Sequence, residues 1–244
     1  MTDAMPSPSP VRLLIHGANG RMGQALLRLA AGREDLQVVG AVSRRVEQRV
    51  LDGVPRFASR EIAGVPAFDV AIDFSLPEGL DGVLAECVSR GVAFVSGTTG
   101  LSEAQCNTLD AAAAHIPVLW AANFSLGVAV LDLLVERAAA ELAGWDCDIV
   151  EQHHVHKRDA PSGTALALGA AAERGGATPR HASLRAGDIV GEHTVQFAGV
   201  GERIELVHRA TSRDVFAQGA LTAAVRMHGR APGRYGMRDL LAAG

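Results

Sequence analysis

Near its N-terminus the chain reads Val11-Arg12-Leu13-Leu14-Ile15-His16-Gly17-Ala18-Asn19-Gly20-Arg21-Met22-Gly23. An apolar run typical of a strand leads into a turn with G-x-x-G-x-x-G spacing, and helical spacing begins at Met22. Glycine lets the backbone approach a pyrophosphate closely, and the N-terminus of the new helix attracts the anion. The pattern predicts a nucleotide site, with a plain βα turn as the alternative. Its expected cofactor contacts are Gly17, Ala18, Asn19, Gly20, Arg21 and Met22.

Strands and helices alternate beyond this turn. Apolar runs predict strands at 36–42, 69–74, 92–96 and 116–120, with helices at 77–90 and 102–114 between them. Such alternation is typical of a doubly wound, mostly parallel sheet. We therefore expect an α/β dinucleotide-binding domain over 11–125, completed by 212–244, and a short disordered tail over 1–10.

The pattern changes after residue 125. A long helix at 126–143 is followed by a strand at 147–151 and an alanine-rich helix at 163–174. Alternation with a period of two then recurs near 182–187, 191–198 and 202–209 without helices between the runs. This order predicts a second, α+β domain over 126–211 with an open mixed sheet.

The bulk composition describes a globular protein with small-molecule ligands. In 244 residues, 48% are hydrophobic, 20% are charged and the net charge is −4, with the arginines scattered. A nucleic-acid partner is not expected, because no basic patch is evident. Neither a long apolar run nor paired cysteines are found, so we expect a cytoplasmic protein without a membrane span or disulfide framework.

The second predicted strand ends in Ser43-Arg44-Arg45. An NAD-selective site often carries an acidic residue here, which binds the ribose hydroxyls and repels a 2′-phosphate. Two guanidinium groups beside a small hydroxyl suit a phosphate instead. We predict a preference for NADPH through Ser43 and Arg44, with two solvated arginines as the alternative.

Two further segments follow predicted parallel strands. In open α/β sheets, ligands bind at the carboxyl ends of the strands. We therefore expect both segments to border the nicotinamide, although each could be an ordinary turn. Their residues are Gly97, Thr98 and Thr99 in one, and Ala121, Ala122, Asn123 and Phe124 in the other.

The segment Glu151-Gln152-His153-His154-Val155-His156-Lys157-Arg158-Asp159-Ala160-Pro161-Ser162-Gly163-Thr164 concentrates the titratable groups. It holds Lys157, the only lysine of the chain, whereas the other 22 basic residues among the 23 Lys and Arg are arginines. Unlike a guanidinium, an ammonium exchanges its proton readily, and histidine is a near-neutral acid. Ser162, Gly163 and Thr164 open a helix whose free N–H groups predict a site for a carboxylate substrate.

A metal site is the rival interpretation of this segment. The histidines with Glu151 or Asp159 could bind zinc, but adjacent histidines on a strand point to opposite faces. His153 shares a face with Glu151, and His154 shares the other with His156. We therefore predict no metal and keep structural histidines as a further alternative.

Taken together, these motifs resemble the dihydrodipicolinate reductase (4-hydroxy-tetrahydrodipicolinate reductase) family. The resemblance continues through Arg185-Ala186-Gly187-Asp188-Ile189-Val190-Gly191-Glu192-His193 and Ser212-Arg213, so it spans nearly the whole chain. It implies a Rossmann-type domain, a substrate domain that also assembles a homotetramer, and NAD(P)H-dependent reduction of a cyclic dicarboxylate in diaminopimelate and lysine biosynthesis.

Site roles also follow from the resemblance. It implies His153 as the proton donor or acceptor, Lys157 as the proton donor, and His154, Gly163 and Thr164 as substrate contacts. Arg44 matches the arginine that family members use on the 2′-phosphate. Ser43 departs from the acidic residue of many relatives, although NADH remains possible. The segment between the alanine-rich helix and Arg185 is also shorter than the family pattern.

Two other functions stay open at this point. The chain could be a related NADPH-dependent reductase of another imine or enal carboxylate. It could also be a nucleotide-sensing module without turnover.

Overall fold

The structure is a computed structural model that describes residues 9–241, so most of the predicted tail over 1–10 lies outside the described residues. The described residues form two compact units, 9–121 with 217–236 and 122–216 with 237–241. None of the helices in this described part is long and apolar enough to cross a membrane.

The first unit is built on a sheet of eight strands. Their order is β12-β7-β6-β5-β1-β2-β4-β3, and every pairing except β3 with β4 is parallel. The strands are β1 (Val11–His16), β2 (Leu36–Ser43), β3 (Val50–Leu51), β4 (Val54–Ala58), β5 (Val70–Asp73), β6 (Ala93–Ser96), β7 (Pro117–Trp120) and β12 (Gly233–Tyr235). The helices are α1 (Arg21–Ala30), α2 (Pro77–Arg90), α3 (Glu103–Ala113) and α6 (Asp214–Met227), of which α6 begins in the second unit.

The order of strands reverses at β1, which lies between β2 and β5. Such a reversal leaves a crevice at the carboxyl ends of the strands, where ligands bind in sheets of this type. The central strands β5 and β6 are buried along their whole length, which explains their continuous apolar sequences. The predicted doubly wound parallel sheet is confirmed.

The second unit contains a four-stranded mixed sheet in the order β11-β10-β8-β9. Its elements are α4 (Leu126–Glu141), β8 (Asp146–His153), α5 (Gly163–Arg174), β9 (Pro179–Arg185), β10 (Gly191–Ala198) and β11 (Arg203–Ala210). β8 and β9 are parallel and are joined through α5, whereas β10 runs antiparallel to both of its neighbours. Helices α4 and α5 pack on one face through Leu131, Val135, Ile149, Leu168 and Phe197. The predicted open mixed sheet is therefore confirmed.

Several boundaries differ from the prediction. The strand expected near 182–187 is β9, which ends at Arg185, and Gly187 adopts a positive φ of 51° in the turn that follows. The short strands β3 and β4 were missed, because two to five residues carry too little periodicity. The sequence placed all of 212–244 with the first domain, whereas 212–216 and 237–241 lie in the second unit. There Arg238 pairs with Asp132 and Glu136 at 3.0 and 2.6 Å.

Candidate functional site

The glycine turn after β1 is tightly packed. Gly17 has a φ of +78°, and a Cβ atom on it would lie 2.5 Å from the carbonyl oxygen of Phe74. A Cβ atom on Gly23 would lie 2.4 Å from the carbonyl oxygen of Gly17. Any side chain at either position would force the backbone to move, so the turn requires glycine for its own packing.

Helix α1 begins immediately after this turn. Its N-cap is Gly20, which offers no side-chain hydrogen bond, and Arg21 at the first helical position is exposed. The first N–H groups of a helix have no partner inside the helix and carry a positive partial charge. The start of α1 therefore fits a phosphate group.

Two hydrogen bonds join the glycine turn to the end of β2. The hydroxyl of Ser43 accepts from the backbone N–H of Asn19 at 3.2 Å, and the Asn19 side chain donates to the Arg45 carbonyl at 3.1 Å. Ser43 is buried, whereas Arg44 and Arg45 are exposed. The serine hydroxyl thus fixes the turn, and the two arginine side chains remain exposed to solvent.

A buried carboxylate lies at the carboxyl ends of the central strands. The register pairs His16 with Asp73 and Asp73 with Ser96, so these residues form a row across β1, β5 and β6. Asp73 contacts His16 Nδ1 at 2.8 Å and accepts from the Ser96 and Thr98 hydroxyls at 2.9 and 2.7 Å. Burial opposes ionisation of Asp73, but His16 and the other donors outweigh it and lower the pKa of the carboxyl.

The predicted segment 97–99 is held in place by this row. A Cβ atom on Gly97 would lie 2.2 Å from the Phe74 ring, and the Trp120 indole donates to the Thr98 carbonyl at 2.8 Å. Thr98 is buried with its hydroxyl on Asp73, while Thr99 is exposed. Thr98 therefore shapes the segment from inside, and a ligand could reach only its backbone and Thr99.

The predicted segment 121–124 crosses from the first unit to the second after Ala121. Ala122 is exposed, Asn123 is half-buried and Phe124 is buried. The amide of Asn123 accepts from the Ser125 N–H at 2.8 Å and donates to the Thr164 hydroxyl at 2.8 Å. Asn123 is therefore fixed in the second unit at the first turn of α5.

In the second unit the end of β8 carries an imidazole and a carboxylate on one face. Strand alternation places Glu151 and His153 on one face, as the sequence predicted, and both side chains are buried. His153 Nδ1 is in hydrogen-bond contact with Glu151 Oε2. Because an ionised carboxylate only accepts, Nδ1 carries the proton and Nε2 is the position that can exchange one. Burial lowers the pKa of His153, although Glu151 acts in the opposite direction.

Glu151 is held by an arginine from β9. Arg185 donates to both carboxylate oxygens, at 3.0 and 2.8 Å. Burial alone would raise the pKa of Glu151, but the hydrogen bonds from Arg185, Ser183 and His153 outweigh it and lower that pKa to about 2. The carboxylate is therefore negative near neutral pH. From the sequence, Glu151 was considered only as a metal ligand. Its contact with His153 could have been expected, because residues two apart on a strand lie on the same face.

The loop after β8 is fixed by the turn before β10. The backbone N–H groups of His154 and Val155 donate to the carbonyls of Ile189 and Gly187, at 2.7 and 3.2 Å. Lys157 contacts both oxygens of Asp159, at 2.9 and 2.8 Å. His154 Nδ1 is buried and has no hydrogen-bond partner among the described residues. The loop therefore presents Lys157 and His154 beside the end of β8.

Helix α5 begins beside these groups. Ser162 is its N-cap: it is buried, its hydroxyl accepts from the Ala165 N–H at 3.2 Å, and its own N–H donates to Glu151 at 3.3 Å. Gly163 is exposed and Thr164 is half-buried. Ser162 thus supports the helix start from inside, and the accessible groups for an anion are those of Gly163 and Thr164.

His193 on β10 completes the cluster. It is buried, its ring lies 5.2 Å from that of His153, and its Nε2 is 3.2 Å from the Ser162 hydroxyl. Burial and the neighbouring His153 lower the pKa of His193 to about 4, so the ring is neutral at pH 7. His193 was not among the predicted site residues, although alternation along β10 places it on the face that packs against the helices.

Among residues 9–241, no group of three or more His, Cys, Asp and Glu side chains is arranged to hold a metal ion. Of the groups in the metal interpretation, Glu151 and His153 contact each other, and Asp159 pairs with Lys157.

Comparison with known proteins agrees with this arrangement. Residues 11–124 match the family described as "Dihydrodipicolinate reductase, N-terminus", and residues 127–241 match "Dihydrodipicolinate reductase, C-terminus". The chain is 72% identical over 235 residues to a 4-hydroxy-tetrahydrodipicolinate reductase of Stenotrophomonas maltophilia, covering 96% of this chain and 98% of the relative. It is 68% identical over 234 residues to one of Xanthomonas campestris pv. campestris, with the same coverage.

The fold is also similar to solved structures. A dipicolinate-bound dihydrodipicolinate reductase from Paenisporosarcina sp. TG-14 superimposes with a TM-score of 0.78 at 21% identity, covering 93% of this chain and 97% of the other. At that identity the match supports the fold alone, whereas the family models and curated relatives cover both units of the chain. This chain belongs to the dihydrodipicolinate reductase family.

Proposed function

We propose that the chain catalyses NAD(P)H-dependent reduction of 4-hydroxy-tetrahydrodipicolinate to tetrahydrodipicolinate, with loss of the 4-hydroxyl as water, in diaminopimelate and lysine biosynthesis. The proposal rests on one observation: a buried imidazole and the only lysine lie beside an accessible helix start, in a chain 72% identical to an enzyme of that name. The accessible helix start suits a carboxylate, and the imidazole and ammonium suit proton transfer.

In this proposal the first unit binds the cofactor. The start of α1 takes the pyrophosphate, and the segment 97–99 lines the nicotinamide end. When bound, the reduced nicotinamide supplies the hydride equivalent. The turn is already rigid, because Gly17 and Gly23 are packed against backbone and Asn19 is tied to Ser43.

The second unit binds the dicarboxylate. The N–H groups of Gly163 and Thr164 receive one carboxylate, and His154 lies in the adjoining loop after β8. Lys157 contributes an ammonium that Asp159 holds in a fixed direction. An arginine could not replace it, since its planar fork stays charged and points its donors differently.

Reduction of a C=C or C=N bond builds negative charge that a proton must quench. His153 exchanges this proton at Nε2, because Nδ1 is committed to Glu151. Although burial lowers the pKa of His153, a bound dianion beside the ring favours the protonated form. Lys157 is the second donor and supplies the proton with which the 4-hydroxyl leaves as water.

We also propose NADPH as the preferred cofactor. Ser43 is buried against Asn19, so no carboxylate occupies the end of β2, and Arg44 and Arg45 are exposed beyond it. Neither guanidinium forms an ion pair with a carboxylate in the part of the chain that is described. We expect Arg44→Ala to lower kcat/KM with NADPH more than with NADH, and Arg33→Ala, whose arginine pairs with Asp35, to change neither. Equal loss with both cofactors would contradict the preference.

A homotetramer is the expected assembly. Helices α4 and α5 cover one face of the second sheet, and the other face carries partly exposed side chains such as Val150, Thr194 and Val207. An uncovered sheet face with apolar side chains is a ready surface for another copy. Light scattering after gel filtration should give four times 25.4 kDa, and Val207→Glu should lower that mass. A wild-type monomer would exclude the proposal.

The function itself is tested by following NADPH oxidation with freshly generated substrate. Turnover that pyridine-2,6-dicarboxylate inhibits competitively would support the proposal. Turnover only with a different imine or enal carboxylate would favour a related reductase. Cofactor binding without any turnover would favour a nucleotide sensor, and cytoplasmic location stays a prediction in each case.

A further inference from the structure

Glu151 joins three parts of the second unit. Its side chain is 1% exposed, and it accepts from His153 Nδ1, from both terminal nitrogens of Arg185 and from the backbone N–H of Ser162. These donors belong to the end of β8, to β9 and to the start of α5. One carboxylate therefore sets the relative positions of the imidazole and the helix start.

Arg185 extends this arrangement to the loop that bears the lysine. Its Nη2 also donates to the backbone carbonyl of Asp159 at 2.6 Å, and the Asp159 side chain holds Lys157. The backbone N–H of the next residue, Ala186, donates to the carbonyl of His153 at 2.9 Å. Arg185 thus binds both Glu151 and the loop that carries Lys157, and the residue after it binds the end of β8.

We propose that Glu151 and Arg185 are positioning residues for the reaction. Glu151 fixes the imidazole of His153 with Nδ1 as the donor, and Arg185 holds that carboxylate and the Lys157 loop in register with it. This inference rests on the proposed function, because it assigns His153 and Lys157 as the groups that transfer protons.

The space around Nε2 of His153 supports the assignment. A Cβ atom on Gly191, in β10, would lie 3.0 Å from this nitrogen, so the strand that faces it carries no side chain there. The neutral ring of His193 meets His153 edge to face. The imidazole is thus confined by Glu151, His193 and Gly191, and any side chain at position 191 would press on its exchangeable nitrogen.

Charges around His153 act in opposite directions. Burial lowers its pKa most, Glu151 raises that pKa, and Lys157 and Arg185 lower it. His193 faces the same ring and stays neutral near pH 7. Removing Glu151 and removing Arg185 should therefore shift the pKa of His153 oppositely. An ion pair that held β8 to β9 at a position remote from the imidazole would give no such pair of opposite shifts.

The test compares Glu151→Gln with Arg185→Gln. In protein labelled at histidine, the His153 resonances are titrated by NMR without ligands, and the signal is assigned with His153→Gln. We expect the pKa of His153 to fall in Glu151→Gln and to rise in Arg185→Gln. Both variants should lower kcat/KM on the order of tenfold or more, since a positioned acid or base contributes about 10²–10⁴-fold. The affinity for NADPH should not change.

Glu136→Gln is the matched control. Glu136 also accepts from two arginines of the same unit, Arg174 and Arg238, but it has no contact with His153. This variant should leave the titration and kcat/KM as in the wild type. If Glu151→Gln does not fold, Glu151→Asp, which keeps the charge at a shorter reach, should still lower the pKa of His153.

Unchanged titration in both variants, shifts in the same direction, or wild-type kcat/KM would overturn the inference. Failure of the proposed function looks different. In that case His153→Gln itself would keep its turnover, or no turnover would occur in the wild type, while the opposite shifts of the imidazole pKa could still be observed.

Discussion

The side-chain amide of Asn123 donates a hydrogen bond of 2.8 Å to the hydroxyl of Thr164. Asn123 lies just before α4 and Thr164 lies in the first turn of α5, both in the second unit. The sequence predicted Asn123 as a cofactor contact and Thr164 as a substrate contact. Because the two side chains are hydrogen-bonded, we expect a substitution at one of them to alter the position of the other.

Thr164→Val should weaken the binding of both ligands. The valine keeps the shape of threonine but leaves the Asn123 amide without its acceptor. Loss of this hydrogen bond should weaken the binding free energy by about 1 kcal/mol, which is a several-fold loss of affinity. Calorimetric titrations with pyridine-2,6-dicarboxylate and with NADPH measure the two effects separately. Thr164→Ser keeps the hydroxyl and serves as the control. Wild-type affinity of Thr164→Val for NADPH would show that the pair does not couple the two contacts.

Lys157→Ala should fold and bind NADPH but lose most turnover, by about 10²–10⁴-fold in kcat. Lys157→Arg should not restore it, because a guanidinium neither gives up a proton near neutral pH nor matches the geometry of an ammonium. Steady-state kinetics and a thermal unfolding curve check both statements. The neighbouring exposed Arg158→Ala should behave as the wild type. Near-normal turnover of Lys157→Ala would remove the lysine from the mechanism.

Gly23→Ala and Gly82→Ala should change stability in opposite directions. A Cβ atom on Gly23 would lie 2.4 Å from the Gly17 carbonyl oxygen, whereas one on Gly82, inside α2, would have no heavy atom within 4 Å. We expect the free energy of unfolding to fall by about 1–3 kcal/mol for Gly23→Ala. It should rise by about 0.4–1 kcal/mol for Gly82→Ala, because alanine restricts the unfolded chain. Urea unfolding measures both, and a stable Gly23→Ala that binds NADPH normally would refute the tight turn.

His193 should make stability depend on pH. Its pKa is about 4 in the folded protein against 6.5 unperturbed, so the unfolded chain takes up a proton first as the pH falls. The contribution of His193 is therefore complete above pH 6.5 and is lost between 6.5 and about 4. The full change is about 3 kcal/mol. His193→Gln should flatten the curve of unfolding free energy in this window, and the exposed His115→Gln should not. Parallel curves for wild type and His193→Gln would contradict the prediction.

The helices were predictable because their signals are local. Ser102 and Gln105, three positions apart, form the capping box that begins α3. The helix at 77–90 was predicted with the bounds that α2 has, since Pro77 suits a first turn and Gly91 adopts the left-handed conformation that ends a helix. Alternation along β8 likewise placed Glu151 and His153 on one face. The domain boundary at the C-terminus was not predictable, because it depends on ion pairs of Arg238 with α4.

Side-chain roles within the predicted site were less visible. Ser43, Thr98 and Ser162 were expected to contact ligands, and the structure uses their hydroxyls to accept from Asn19, donate to Asp73 and cap α5. A hydroxyl in a motif can bind a ligand, or it can stabilise the loop that binds the ligand. The sequence pattern is the same in both cases, so sequence alone does not distinguish them.

The sequence by itself determined the order of strands and helices, the glycine turn, the histidine segment and the membership of the family. These depend on periodicity and on residues that are neighbours in the chain. Only the tertiary structure decided that Arg185 meets Glu151 across 34 positions, that Thr98 meets Asp73 across 25 and that Asn123 meets Thr164 across 41. Such pairs depend on strand order and register, where a shift of one residue would turn every side chain of a strand to the opposite face.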